Sequence, residues 1–96
     1  SARIGQCELD GIVAERTQMD YRQISNRVTE TDTQVKLRNH KKEAVDIVVV
    51  DYFWGDWEIT KKSHEFKKVS SRKAEFTVRV EPEQEAVLTY TVRVQS

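Results

Sequence analysis

Proline and cysteine each occur once in these 96 residues, and glycine three times. A lone thiol, Cys7, closes no internal disulfide, which excludes a disulfide-stapled scaffold. Its ordinary role is that of a half-buried small side chain. The glycines Gly5, Gly11 and Gly55 stand apart, so no Gly-rich phosphate loop exists. Nor is there a Gly-x-Ser-x-Gly nucleophile elbow. An excess of either charge sign is also missing, with 16 basic and 16 acidic residues. Nucleic-acid-binding domains carry a basic surplus, so no nucleic-acid partner is expected. A third of the residues are charged, too many for a membrane span. Ser1 opens the chain with no basic-then-apolar leader after it. The start reads as a cut from a longer polypeptide, with residues 1–96 one C-terminal domain and 1–10 an irregular lead-in.

What is present is β patterning. Ile12 to Met19 reads as a strand after the turn pair Asp10-Gly11, while residues 20–27 are ambiguous. From Val28, Thr29, Thr31, Thr33, Val35 and Leu37 fall on one face and Glu30, Asp32, Gln34, Lys36 and Arg38 on the other. Side chains alternate across a strand, so this is a long half-buried strand with a charged face in water. Asn39 to Glu43 is a polar connection, with Asn39 suited to an Asx-turn. Ala44 to Trp54 is apolar on both faces, which marks a central strand or one that changes sheets. Gly55-Asp56 is either a two-residue hairpin or a corner, and the short polar-going segment after it favours the corner. Lys61 to Ser71 reads as a loop with an edge strand guarded by lysines. Ala74–Val80 and Ala86–Val94 alternate cleanly on either side of a turn at Pro82.

Six to seven short strands, polar turns and no helix predict an all-β fold, an immunoglobulin-like antiparallel β-sandwich. A small closed barrel is the alternative.

Chemistry-bearing groups are sparse. Tyr52, Trp54 and Trp57 cluster around the corner, where aromatics either grip a sugar or peptide or plug the core. Arg38 and His40, with Lys36, Lys41 and Lys42, place cations near a hairpin tip, either for an acidic partner or as a solvated turn. Two distant histidines, His40 and His64, make no metal site, and His64-Glu65 lacks the second histidine of a zinc-protease helix. Ser63 beside His64 makes no triad by adjacency. The expectation is therefore no enzyme, no cofactor and no metal.

Glu15 to Arg22, Val35 to Glu43, Trp54-Gly55-Asp56-Trp57-Glu58-Ile59 and Leu88 to Val94 together resemble the C-terminal end of a bacterial family, domain of unknown function 4139. The resemblance covers roughly residues 12–94. It implies a β-sandwich closing a longer bacterial protein, often one exported to the cell envelope or periplasm, and it implies no reaction. The expected partner is the upstream part of the same polypeptide or another protein. Two alternatives stand beside this structural or interaction module. One is a carbohydrate- or peptide-binding module; the other is an accessory domain of an enzyme whose site lies upstream.

Overall fold

The computed structural model describes residues 4–9, by their backbone, and residues 11–95 in full. Eight strands are described: β1 (Ile4–Leu9), β2 (Ile12–Gln23), β3 (Val28–Asn39), β4 (Val45–Tyr52), β5 (Asp56–Lys62), β6 (Phe66–Ser70), β7 (Lys73–Val80) and β8 (Glu85–Gln95). No helix occurs among the described residues. All pairings are antiparallel, in a five-stranded sheet of order β1-β2-β3-β8-β5 and a three-stranded sheet of order β4-β7-β6. The chain is an all-β sandwich.

Its core lies between the two sheets, where the alternation of β3, β7 and β8 places it. Val35, Leu37, Leu88, Tyr90 and Val92 face in from the large sheet, and Ala74, Phe76, Val78 and Val80 from the small one. Charged residues of the same strands stay in water, as the period of two requires. An aromatic ladder runs through this core: Phe53–Trp57 (4.7 Å), Trp57–Phe66 (6.5 Å), Phe66–Phe76 (5.7 Å) and Phe76–Tyr90 (4.5 Å). These are the tilted and offset distances that ring quadrupoles favour.

Three local readings change. Residues 4–9 were expected to be irregular; they pair with Thr17–Ile12 as β1, the open edge of the large sheet. A backbone can complete a ladder without side-chain alternation, which is why no period announced it. The Cys7 thiol and residues 1–3 and 10 lie outside what is described. The ambiguous stretch 20–27 splits between the end of β2 and a turn, where the Ile24 and Ser25 N–H groups donate to Val28 O. The apolar run from Val45 is an edge strand rather than a central one. The chain does change sheets after it: Gly55, at φ 62°, sits in the corner from β4 to β5. Glycine fits there because other residues meet a Cβ clash at positive φ.

Asn39 anchors the opposite end. It is wholly buried, and its Nδ2 donates to Glu43 O (2.8 Å) and Val80 O (3.2 Å). Its Oδ1 accepts the Lys41 N–H at 2.8 Å, the Asx-turn expected of it. One side chain thereby satisfies backbone groups of two connections that would otherwise be costly to bury.

Candidate functional site

The corner after β4 sorts its aromatics into two sets. Alternation puts Asp51 inside and Tyr52 outside; the chain then crosses beneath the sandwich, with Phe53 N–H donating to Arg72 O at 2.8 Å. Phe53 turns inward against Trp57. Trp57 is 9 % exposed and its Nε1 donates to Ser71 O at 2.8 Å. Of the sequence candidates, Trp57 is therefore core. Trp54 is 75 % exposed and Tyr52 66 %. Cations flank both: the Arg72 guanidinium lies 5.5 Å from the Trp54 ring centre, and Lys73 Nζ 5.9 Å from that of Tyr52. Such contacts are attractive because the ring face is electron-rich.

Arg38 and His40 lie elsewhere. They close β3 at the end where β4 begins, so the length of β4, roughly 25 Å at a strand's rise per residue, separates them from Tyr52. Arg38 pairs with Glu85 at 3.0 Å on the surface. The His40 N–H donates to Gly11 O, and its side chain is exposed. The structure brings Tyr52 and Trp54 to one end and leaves Arg38 and His40 at the other.

Two polar clusters were not foreseen. Between the sheets, the Asp51 carboxylate accepts from Arg16 Nη2 (2.5 Å), the Tyr90 hydroxyl (2.5 Å) and the Tyr52 N–H (2.9 Å). Burial, and then the neighbouring Asp51, raise the Tyr90 pKa, so the phenol stays protonated. On the outer face of the large sheet, Arg22 reaches Asp20 (2.6 Å), Glu30 (2.9 Å) and Asp32 (3.0 Å), and Arg93 reaches Glu30 at 2.7 Å. Hydrogen bonds from Arg93 and Arg22 hold Glu30 below its ordinary pKa. Those from Arg22 and Thr91 do the same for Asp32. Carboxylates held ionised in this way are poor proton donors near neutrality. The Asp51 cluster and the links from Glu30 to Arg93 and Asp32 to Thr91 join strands far apart in sequence, and the only signal for them was a charge at alternating positions, which any solvated face shows.

Ser63 Oγ lies 2.7 Å from His64 Nδ1 and accepts the Thr89 N–H at 2.9 Å. Ser63 N–H donates in turn to Thr89 O. The hydroxyl thus fastens the end of β5 to β8, and no carboxylate among the described residues is bonded to the ring. No three His, Cys, Asp or Glu side chains among the described residues converge on a metal position. No helix of the described chain is long and apolar enough to cross a membrane. Compared with known proteins, the chain matches no family model, no curated protein and no solved structure.

Proposed function

We propose that this domain is a non-enzymatic interaction module that docks another polypeptide, or the remainder of a longer one, through the end of the sandwich bearing Tyr52 and Trp54. One observation carries this reading: the corner places Phe53 and Trp57 in the core and leaves Trp54, as large as Trp57, outside. Burying a large apolar side chain is worth roughly 1.5–3 kcal/mol, and the fold forgoes that here. Exposed aromatics of this kind are the anchors that interfaces cover.

A carbohydrate ligand is the second reading, since indoles stack on sugar rings. The cations Arg72 and Lys73 each stand over one face of Trp54 and Tyr52, and a neutral sugar leaves their charge unmet. Peptides, with carboxylates and carbonyls to meet those cations, fit better.

The test is an array of peptides and glycans probed with the intact chain and with a Tyr52→Ala/Trp54→Ala double variant. Saturable peptide binding that the double variant loses is the expected result. Glycan-only binding would transfer the reading to carbohydrate, and equal binding by both proteins would remove the aromatic end from any role. Turnover in a hydrolase panel would end the non-enzymatic reading.

A further inference from the structure

The edges of the two sheets are not alike. β5 has a register shift between Ile59 and Lys61 and carries Lys61 and Lys62. β6 is five residues long, shifts between Lys68 and Ser70, and carries Lys67 and Lys68. Bulges, brevity and lysines are among the means by which sheets keep foreign strands off an edge. β4 uses none of these three, although Asp51 near its end faces inward. Its eight residues run in unbroken register with β7, without lysine, proline or glycine, and five of the eight are β-branched. Among the described residues, no strand pairs with its far side. β1, the remaining edge, also runs without a register shift or lysine, but it is shorter, six residues, and carries Gly5.

Burial shows that β4 lacks a neighbour there. Ile47 and Val49 face the core opposite Val78 and Phe76. The β7 partners are wholly buried, whereas Ile47 and Val49 are only half-buried. On the outer face Val48 is 54 % exposed, Val50 is half-buried and Tyr52 is exposed, a row that ends at Trp54. The layers are also unequal. β6 packs on β5 through Phe66 and Trp57, β7 on β8 through Phe76 and Tyr90, and β4 reaches β2 through Asp51 and Arg16. Of the large sheet, β1 extends beyond β4.

We infer that the free edge of β4 is a strand-addition site. It takes one extended segment of another polypeptide, antiparallel to β4, apolar at alternate positions and basic beside Asp46. This rests on the interaction-module reading and specifies the partner. Inward side chains of the added strand cover Ile47 and Val49 beneath β2 and β1. Outward ones lie along Val48, Val50 and Tyr52. Asp46 has only a long surface contact to Arg79, 3.7 Å, and so can receive a basic side chain. Main-chain hydrogen bonds supply affinity in such additions, and alternate side chains supply specificity. A second copy of the chain does not fit. Antiparallel pairing of two β4 strands places the two-fold axis normal to the sheet, which drives both β1 overhangs into one layer. A single strand brings no second layer.

The probe is an end-blocked peptide with the sequence of β7, Lys-Ala-Glu-Phe-Thr-Val-Arg-Val, whose pattern β4 already accepts on its other side. Binding to the intact chain is read by anisotropy, and its location by amide hydrogen exchange. Saturable binding with slowed exchange in β4, and not in β1, β5 or β6, is expected. Val48→Lys, at an exposed position, weakens it by about tenfold or more. Thr77→Lys, opposite Val48 on the same face but on the inner strand β7, leaves it unchanged. No saturable binding at millimolar peptide overturns the inference, as does protection at β1, β5 or β6 instead of β4, or equal behaviour of the two lysine variants. If that happens while array binding still needs Tyr52 and Trp54, only strand addition falls. If β4 is protected but array binding ignores those aromatics, only the aromatic-end reading falls.

Discussion

Removing one oxygen atom measures how firmly the two sheets are pinned. The Tyr90 hydroxyl, on β8 of the large sheet, donates to Asp51 on β4 of the small one at 2.5 Å. Tyr90→Phe keeps the ring stacked on Phe76 and deletes this donor, together with the oxygen that the buried Thr33 side chain hydrogen-bonds. Hydrogen bonds to charged groups contribute about 1.5–3 kcal/mol. Asp51 keeps two other donors after the change, and the void is a single oxygen, so the lower part of that range applies, about 2 kcal/mol. Arg16→Met removes the cation beside the same carboxylate; the Arg16 side chain is 46 % exposed and partly screened, but Asp51 is only 9 % exposed and keeps its charge buried. Its cost is therefore comparable, about 1–3 kcal/mol. Equilibrium unfolding in urea reads both. Tyr90→Phe lowers the midpoint by about 1–2 M at a slope of about 1–2 kcal/mol per molar, with the slope itself unchanged. Arg16→Met lowers it by a similar amount. A Tyr90→Phe midpoint within error of the parent would refute the claim that the phenol pins the sheets together.

The indoles differ sharply under acrylamide. Trp54, left alone by Trp57→Phe, is readily quenched, and Trp57, left alone by Trp54→Phe, is shielded and blue-shifted. Stability follows the same division: Trp57→Ala costs about 3–5 kcal/mol by calorimetry or urea, and Trp54→Ala stays within about 0.5 kcal/mol. Asn39→Ala strands the carbonyls of Glu43 and Val80 and lowers stability by about 2–4 kcal/mol, which denaturant titration reads directly. Acid and base act through different groups. Glu30 and Asp32 have lowered folded pKa values, so their stabilisation is present at neutral pH and is lost as pH falls below about 4, where the unfolded chain takes up protons first. Tyr90 has a raised one, so its contribution is intact below pH of about 10 and declines above it, because the unfolded chain ionises first. Urea midpoints across pH check both signs, and Arg22→Met flattens the acid limb while leaving the alkaline limb alone.

How much of this was legible depends on how many faces each strand buries. β3, β7 and β8 bury one face under a second layer, so Val35 and Leu37, or Phe76 and Val78, alternate with charges and can be read at sight. β4 defeats that logic. An apolar outer row at Val48, Val50 and Tyr52 looks like a strand covered on both sides, and the structure leaves it open. Sequence pattern records which residues are apolar; it does not record whether a neighbour covers them. The corner at Gly55 was readable from glycine and the failing apolar run, but the division of Trp54 from Trp57 was not. That division depends on where the crossing chain points each ring. The joining of Arg16, Asp51 and Tyr90 was hidden for another reason: sandwich topologies share one hydrophobic pattern, and strand order alone decides which polar groups meet.

β8 lies between β3 and β5, although both are made before it. During vectorial synthesis β3 pairs with β2 at once, through a short turn. Its other side then waits until almost fifty further residues have left the ribosome, and β5 has no partner in its own sheet until that moment. Closure is thus a late, non-local event that seals two open edges in one step, and chains dominated by such pairings fold slowly. A nascent chain halted before Glu85 presents β3 and β5 to whatever strand is nearby, so the period of greatest exposure to mispairing ends only when β8 inserts.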